Sequence, residues 1–400
     1  MSFIERYIKH ARNTSENSNQ KEAAKNIQLF KKLCTAIYDT TFVELFSTHV
    51  FPETVKTKAG EKYLLWDQAY WGIVGNIVNL YFLSAFAMCD KERESVKGRL
   101  EAEIYYFLSL KLEDYPALSM ELARSYRELV KEPTEISIPS EEVLQKYLTS
   151  LNESINIAKI FCLFHELNHI EAIEDIDIYL DKSKTILDTF RVVEVALDDD
   201  SPLIERLSHY YNKSDIWEAI SDLKNQENED LLVELSCDLS AFYDTIDLCK
   251  TLMPDTSEET IVGKVHEVNL LINTINFTLV QTYKNWDCSY RLCMSQIKSE
   301  EYDKEIEHLN KDTLLRFVLS DIVKAVQIIK ADVDDFDNVI NMVNSDHYGF
   351  RYPVENSFLE SVMEAVNDKS FFLKVFSIIQ QYNDLSEIEM EEYKTLLLGW

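Results

Sequence analysis

Apolar residues recur every three or four positions along most of this chain, a period that predicts helices with one buried face. Residues 1–48 read as helical, with a break around RNTSENSNQ (12–20). FPETVKTKAGEKYLLW (51–66) departs from that period. Its alternation, with Pro52 and Gly60, predicts a small hairpin. KERESVKGRLEAEIYYFLSLKL (91–112) and PALSMELARSYRELV (116–130) return to the helical period. KEPTEISIPSEEV (131–143) is a connector with two prolines, closing on Ser140 as a helix cap and on Glu141 and Glu142 as first-turn acids. A long helical pattern then runs from about Glu141 to Ala172. ALDDDSP (196–202) breaks the chain, EDLLVELSCDLSAFYDTIDLCKTLM (229–253) is helical, and PDTSEET (254–260) is a further connector.

These breaks divide the chain into an N-terminal helical region (1–133), a core region (140–253) and a C-terminal helical region (260–400). The expected class is mainly α, with at most a small hairpin or sheet. Only 7 Gly and 7 Pro in 400 residues agree with long, uninterrupted helices.

One segment complicates this picture. AYWGIVGNIVNLYFLSAFAMC (69–89) carries no charge and is long enough to span a bilayer. Asn76 and Asn79 interrupt it and no basic cluster flanks it, so a helix buried on all sides is the expectation and a membrane partner is disfavoured.

Charge narrows the partners. A net charge of −30 disfavours nucleic acid, whose phosphates are bound by Lys and Arg, and leaves room for a basic partner segment. The 7 cysteines include no CxxC pair, which fits a reduced, cytoplasmic chain. The first twenty residues carry charges throughout, unlike a signal peptide.

The chemistry concentrates in KIFCLFHELNHIEAI (159–173). His165 and His169 are four apart, so on a helix both imidazoles face one way and can meet at one ion. Glu166 follows the first histidine, beside such an ion rather than on it, where a carboxylate can take a proton from water. A third ligand is needed. LLVELSCDLSAF (231–242) offers Glu234 in an apolar run, where a carboxylate is costly unless paired or bound to metal. Asp238, one turn on, is placed to orient a ligand histidine. Glu218, with Asp222 four residues later, is a rival third ligand. For a developing oxyanion, SDHYGFRYP (345–353) concentrates His347, Tyr348, Arg351 and Tyr352, and LSHYYNK (207–213) offers His209, Tyr210 and Tyr211.

An HExxH followed by ExxxD on another helix resembles the gluzincin group of zinc metallopeptidases. The resemblance implies a Zn²⁺ cofactor with His165, His169 and Glu234 as ligands, Glu166 as base and Asp238 as support for the first histidine. A looser similarity, carried by the motif, the size class and WDQAYW (66–71), links the chain to bacterial phage-exclusion (Lit-like) peptidases. The expected function is therefore a zinc-dependent endopeptidase acting on a protein or peptide, with bacterial or phage defence as the implied setting. The alternative is a helical interaction or regulatory protein with a structural or vestigial metal site.

Overall fold

The computed structural model describes residues 23–45, 51–87, 89–112, 115–131, 136, 140–174, 182–191, 229–293 and scattered positions at 213–221, 298–327 and 377. The described chain is mainly α, with one small sheet.

The first described helix, α1 (Ala23–Tyr38), ends where Asp39 takes a left-handed φ of 47° and turns the chain into β1 (Thr41–Leu45). The helical expectation for residues 1–48 is thus corrected at its end, because 41–45 form a strand. TFVEL is too short to display a strand's alternation against the apolar run before it, and its partner lies downstream. That partner is β3 (Lys62–Asp67), paired parallel to β1 from Thr41 opposite Tyr63 to Leu45 opposite Asp67. The expected hairpin is present as β2 (Glu53–Lys56) antiparallel to β3, from Glu53 opposite Leu65 to Lys56 opposite Lys62. Its turn closes with Thr57 N–H on the Glu61 carbonyl at 2.8 Å, and Gly60 supplies the positive φ of 85°. The sheet order β1-β3-β2 leaves β2 at an edge.

β3 runs straight into α2 (Gln68–Ser84). Asp67 ends the strand and caps the helix, its carboxylate accepting the Ala69 N–H at 2.8 Å in a fully buried position. α2 occupies most of the uncharged segment and buries Tyr70, Trp71, Ile73, Val74, Ile77 and Val78. Among the described residues, no helix is long and apolar enough to cross a membrane. The segment is core because the rest of the bundle surrounds it.

Helices α3 (Asp90–Lys111) and α4 (Pro116–Leu129) pack against each other. Next comes α5 (Glu141–Glu174), which carries the HExxH residues. Its first half is largely exposed. From Ile157 to Ile170 it is buried on nearly every side, which is why that half carries so few charges. A short helix α6 (182–191) follows, then α7 (Glu229–Leu252) and α8 (Glu258–Cys293). Among the described helices, α5 and α7 pack closely against each other.

One apolar core draws on α1, the sheet, α2–α5, α7 and α8. Its centre is aromatic: Trp66 stacks on Trp71 with centroids 4.9 Å apart, and Phe30 meets Trp66 edge-on at 5.4 Å. This core fixes α5 against the sheet on one side and α7 on the other.

Candidate metal centre

His165 and His169 stand one turn apart on α5, and their Nε2 atoms are 3.1 Å from each other. The packing of α7 brings Glu234 to them: its Oε2 lies 3.4 Å from His165 Nε2 and 3.7 Å from His169 Nε2. A tetrahedral ion held about 2.0–2.1 Å from each donor separates those donors by about 3.3 Å. The observed triangle matches that spacing, and two imidazoles with one carboxylate form a suitable donor set. His165, His169 and Glu234 therefore fit a metal ion, and they are the one such group among the described residues.

Burial grades across the site. The Glu234 side chain is 31% exposed and that of His169 24%, whereas Asp238 is 2% exposed and lies at the base. Oδ1 of Asp238 is 2.9 Å from Nδ1 of His165. Both atoms are buried and neither has another hydrogen-bond partner, so at this separation the two groups serve each other. With Nδ1–H directed at Asp238, the other ring nitrogen of His165, Nε2, faces Glu234 and His169 and is the atom a metal ion would take on losing its proton. On the other imidazole, Nδ1 of His169 is 3.5 Å from the Cys237 sulfur.

A cation joins this group from elsewhere in the chain. Arg316, at a helical position, places Nη2 2.8 Å from Glu234 Oε2, 3.3 Å from His165 Nε2 and 3.6 Å from Asp238 Oδ1. Ser320 donates to Asp238 Oδ2 at 2.8 Å. Glu166 occupies the next position of the same α5 turn, half-buried, and its backbone carbonyl accepts the Thr54 hydroxyl at 2.7 Å. That bond ties edge strand β2 to the turn bearing the motif.

These neighbours set the proton affinities. Burial pushes the Glu166 carboxyl up to about 7, with the Glu234 charge adding to it and His165 opposing. Burial works against a charged His165, but the hydrogen bonds to Asp238 and Glu234 outweigh it and raise the ring to about 9. His169 is lowered to about 4, by burial first and then by the charge of His165. Near neutrality, without an ion, the pair thus carries one positive charge, on His165. Burial would raise Glu234 and Asp238, but other contacts reverse it: mainly His165 and Arg316 bring Glu234 down to about 2. Arg316 and Lys324 hold Asp238 well below the usual carboxylate range.

Of the residues singled out in the sequence, His165, Glu166, His169, Glu234 and Asp238 come together. Glu218 is exposed and stands outside the ligand group, and Asp222 is not among the described residues. His347, Tyr348, Arg351 and Tyr352, like His209, Tyr210 and Tyr211, also lie outside the described residues. Sequence reasoning missed Arg316, Ser320 and Lys324. The signal was there: in LLRFVLSDIVKAV (314–326) the three recur four apart, one polar stripe in an apolar helical run.

Comparison with protein-family models, with curated proteins and with solved structures finds no match to this chain.

Proposed function

We propose that the chain is a zinc-dependent endopeptidase, with His165, His169 and Glu234 holding the ion. The observation that carries this reading is the pairing of a three-donor group with a half-buried carboxyl beside it, that of Glu166, whose proton affinity sits near neutrality. A purely structural site has no use for that carboxyl. Zinc bound there would act as a Lewis acid toward water and a substrate carbonyl.

The remaining work falls to the chain's own residues. Glu166 takes the proton of the attacking water and passes it to the leaving amine, which a carboxyl poised near 7 can do in both directions. Asp238 holds His165 in the tautomer that presents Nε2. Arg316, partly exposed beside Glu234, is the described cation placed to meet a developing oxyanion. β2 lies at the edge of the described sheet and is tied by Thr54 to the catalytic turn, which is where an extended peptide would lie alongside a strand. The acidic balance of the chain favours a basic segment as that peptide.

Zinc content and proteolysis of the wild type, Glu166→Gln and His169→Ala test the reading. The wild type is expected to bind one zinc and cleave. Glu166→Gln is expected to keep zinc and lose cleavage, and His169→Ala to lose both. A wild type that takes up no zinc on reconstitution ends the proposal. One that binds zinc while Glu166→Gln changes nothing points instead to a helical interaction protein with a structural ion.

A further inference from the structure

The stripe Arg316, Ser320 and Lys324 faces the pair Glu234 and Asp238 of α7. Arg316 reaches Glu234 directly. The other two form a chain of hydrogen bonds leading to the far side of His165. Nζ of Lys324 donates to Ser320 Oγ at 2.7 Å, and Ser320 donates to Asp238 Oδ2 at 2.8 Å. Asp238 Oδ1 then faces His165 Nδ1 at 2.9 Å. Lys324, Ser320 and Asp238 are all buried, at 1%, 2% and 2% exposure.

The direction of every bond in this chain is fixed by chemistry. A lysine ammonium has three protons and no lone pair, so it can only donate. Ser320 Oγ must therefore accept from Lys324, and its single proton is free to go only to Asp238. A helical serine without such a partner turns its hydroxyl to the carbonyl four residues back. Asp238, with Oδ2 filled by a donor, keeps Oδ1 as an acceptor, and the donor it meets is Nδ1–H of His165. The lysine is itself anchored, since Nζ also donates to Asn269 Oδ1 of α8 at 2.8 Å and lies 5.2 Å from the centre of the Phe161 ring.

We infer that Lys324 and Ser320 are positioning residues: through Asp238 they fix His165 with its proton on Nδ1 and its Nε2 lone pair aimed at the ion. The inference rests on the metal-site reading above for its purpose, but not for its geometry. A buried lysine in an apolar bundle is costly, and this arrangement gives it a task that packing alone does not.

Two measurements test it, on the full chain. The first is zinc affinity by competition with a chelator, at a temperature where circular dichroism shows each variant folded. Ser320→Ala and Lys324→Met are expected to bind zinc about tenfold more weakly, the range seen when support of a ligand histidine is removed. Ser320→Thr, which keeps the hydroxyl, is expected to stay near wild type. The second is the downfield proton resonance of His165 Nδ1–H, read with and without zinc. It is expected in the wild type and Ser320→Thr, and to broaden or vanish in Ser320→Ala and Lys324→Met. Unchanged affinity and resonance in those two variants would overturn the inference. So would an equal loss in Ser320→Thr, which would mean packing rather than a directed proton chain. If the wild type binds no zinc, the peptidase reading falls, while the resonance still decides whether the relay exists.

Discussion

His165 and His169 have opposite proton affinities although they are one helical turn apart. The difference comes from Asp238 and Glu234, which serve His165 first, leaving His169 buried beside a charged neighbour. Metal binding needs both rings neutral, so His165 must give up a proton it otherwise keeps to about pH 9. Zinc affinity is therefore expected to improve about tenfold per pH unit from 7 to 9 and then level off, as read by competition titrations across that range. A pH-independent affinity would contradict the assigned proton. The metal-free chain is expected to show a second consequence. The folded affinity of His165 is above the unfolded value of 6.5, so its stabilising effect is complete below pH 6.5 and is lost as pH rises through 9. Denaturant titrations should record a loss on the order of 2–3 kcal/mol between those limits. At this scale the sequence was informative where partners share a helix. HExxH and ExxxD each follow the i, i+4 rule, and their residues met. The stripe carrying Arg316 has a visible period, but its pairing with Glu234 spans a sequence separation that no local period reveals, so the partner became legible only when the helices were packed.

At the scale of elements, junctions matter more than interiors. Asp67 closes β3 and opens α2 with one carboxylate, in a position without solvent. Removing it leaves a buried helix N–H unsatisfied, so Asp67→Ala is expected to cost about 1–2 kcal/mol, measurable as a shift in the denaturation midpoint. Asp67→Asn, which keeps an accepting oxygen, should recover most of that loss; equal losses would show the carboxylate serving some other purpose. The helices and the hairpin were readable because each carries its own period or turn residues, such as Gly60 in KTKAGEK. β1 was not, because five residues hold too few alternations, and its pairing with β3 is parallel and non-local. The uncharged α2 segment was readable as apolar. That it lies inside a bundle rather than a bilayer follows from the neighbours that cover it.

Across the whole molecule, the three candidate ligands belong to two helices, α5 and α7, that pack together, so a site for an ion is largely preformed. An ion that binds only the folded chain stabilises it by mass action, about 2.7 kcal/mol at a hundredfold excess over its dissociation constant. Thermal melts are expected to rise with added zinc in the wild type and in Glu166→Gln, and to stay flat in His169→Ala. Equal rises in all three would place the ion elsewhere. The direct contact of α5 with α7 has one more consequence, in the statistics of the chain itself. The three donors come from the two helices that lie side by side, and none comes from the described residues between them. For a flexible loop of any protein, doubling the length adds only about 0.6 kcal/mol to the cost of closure. An insertion between the two helices that leaves α6 in place is therefore expected to keep the triangle of His165, His169 and Glu234, read as unchanged zinc affinity.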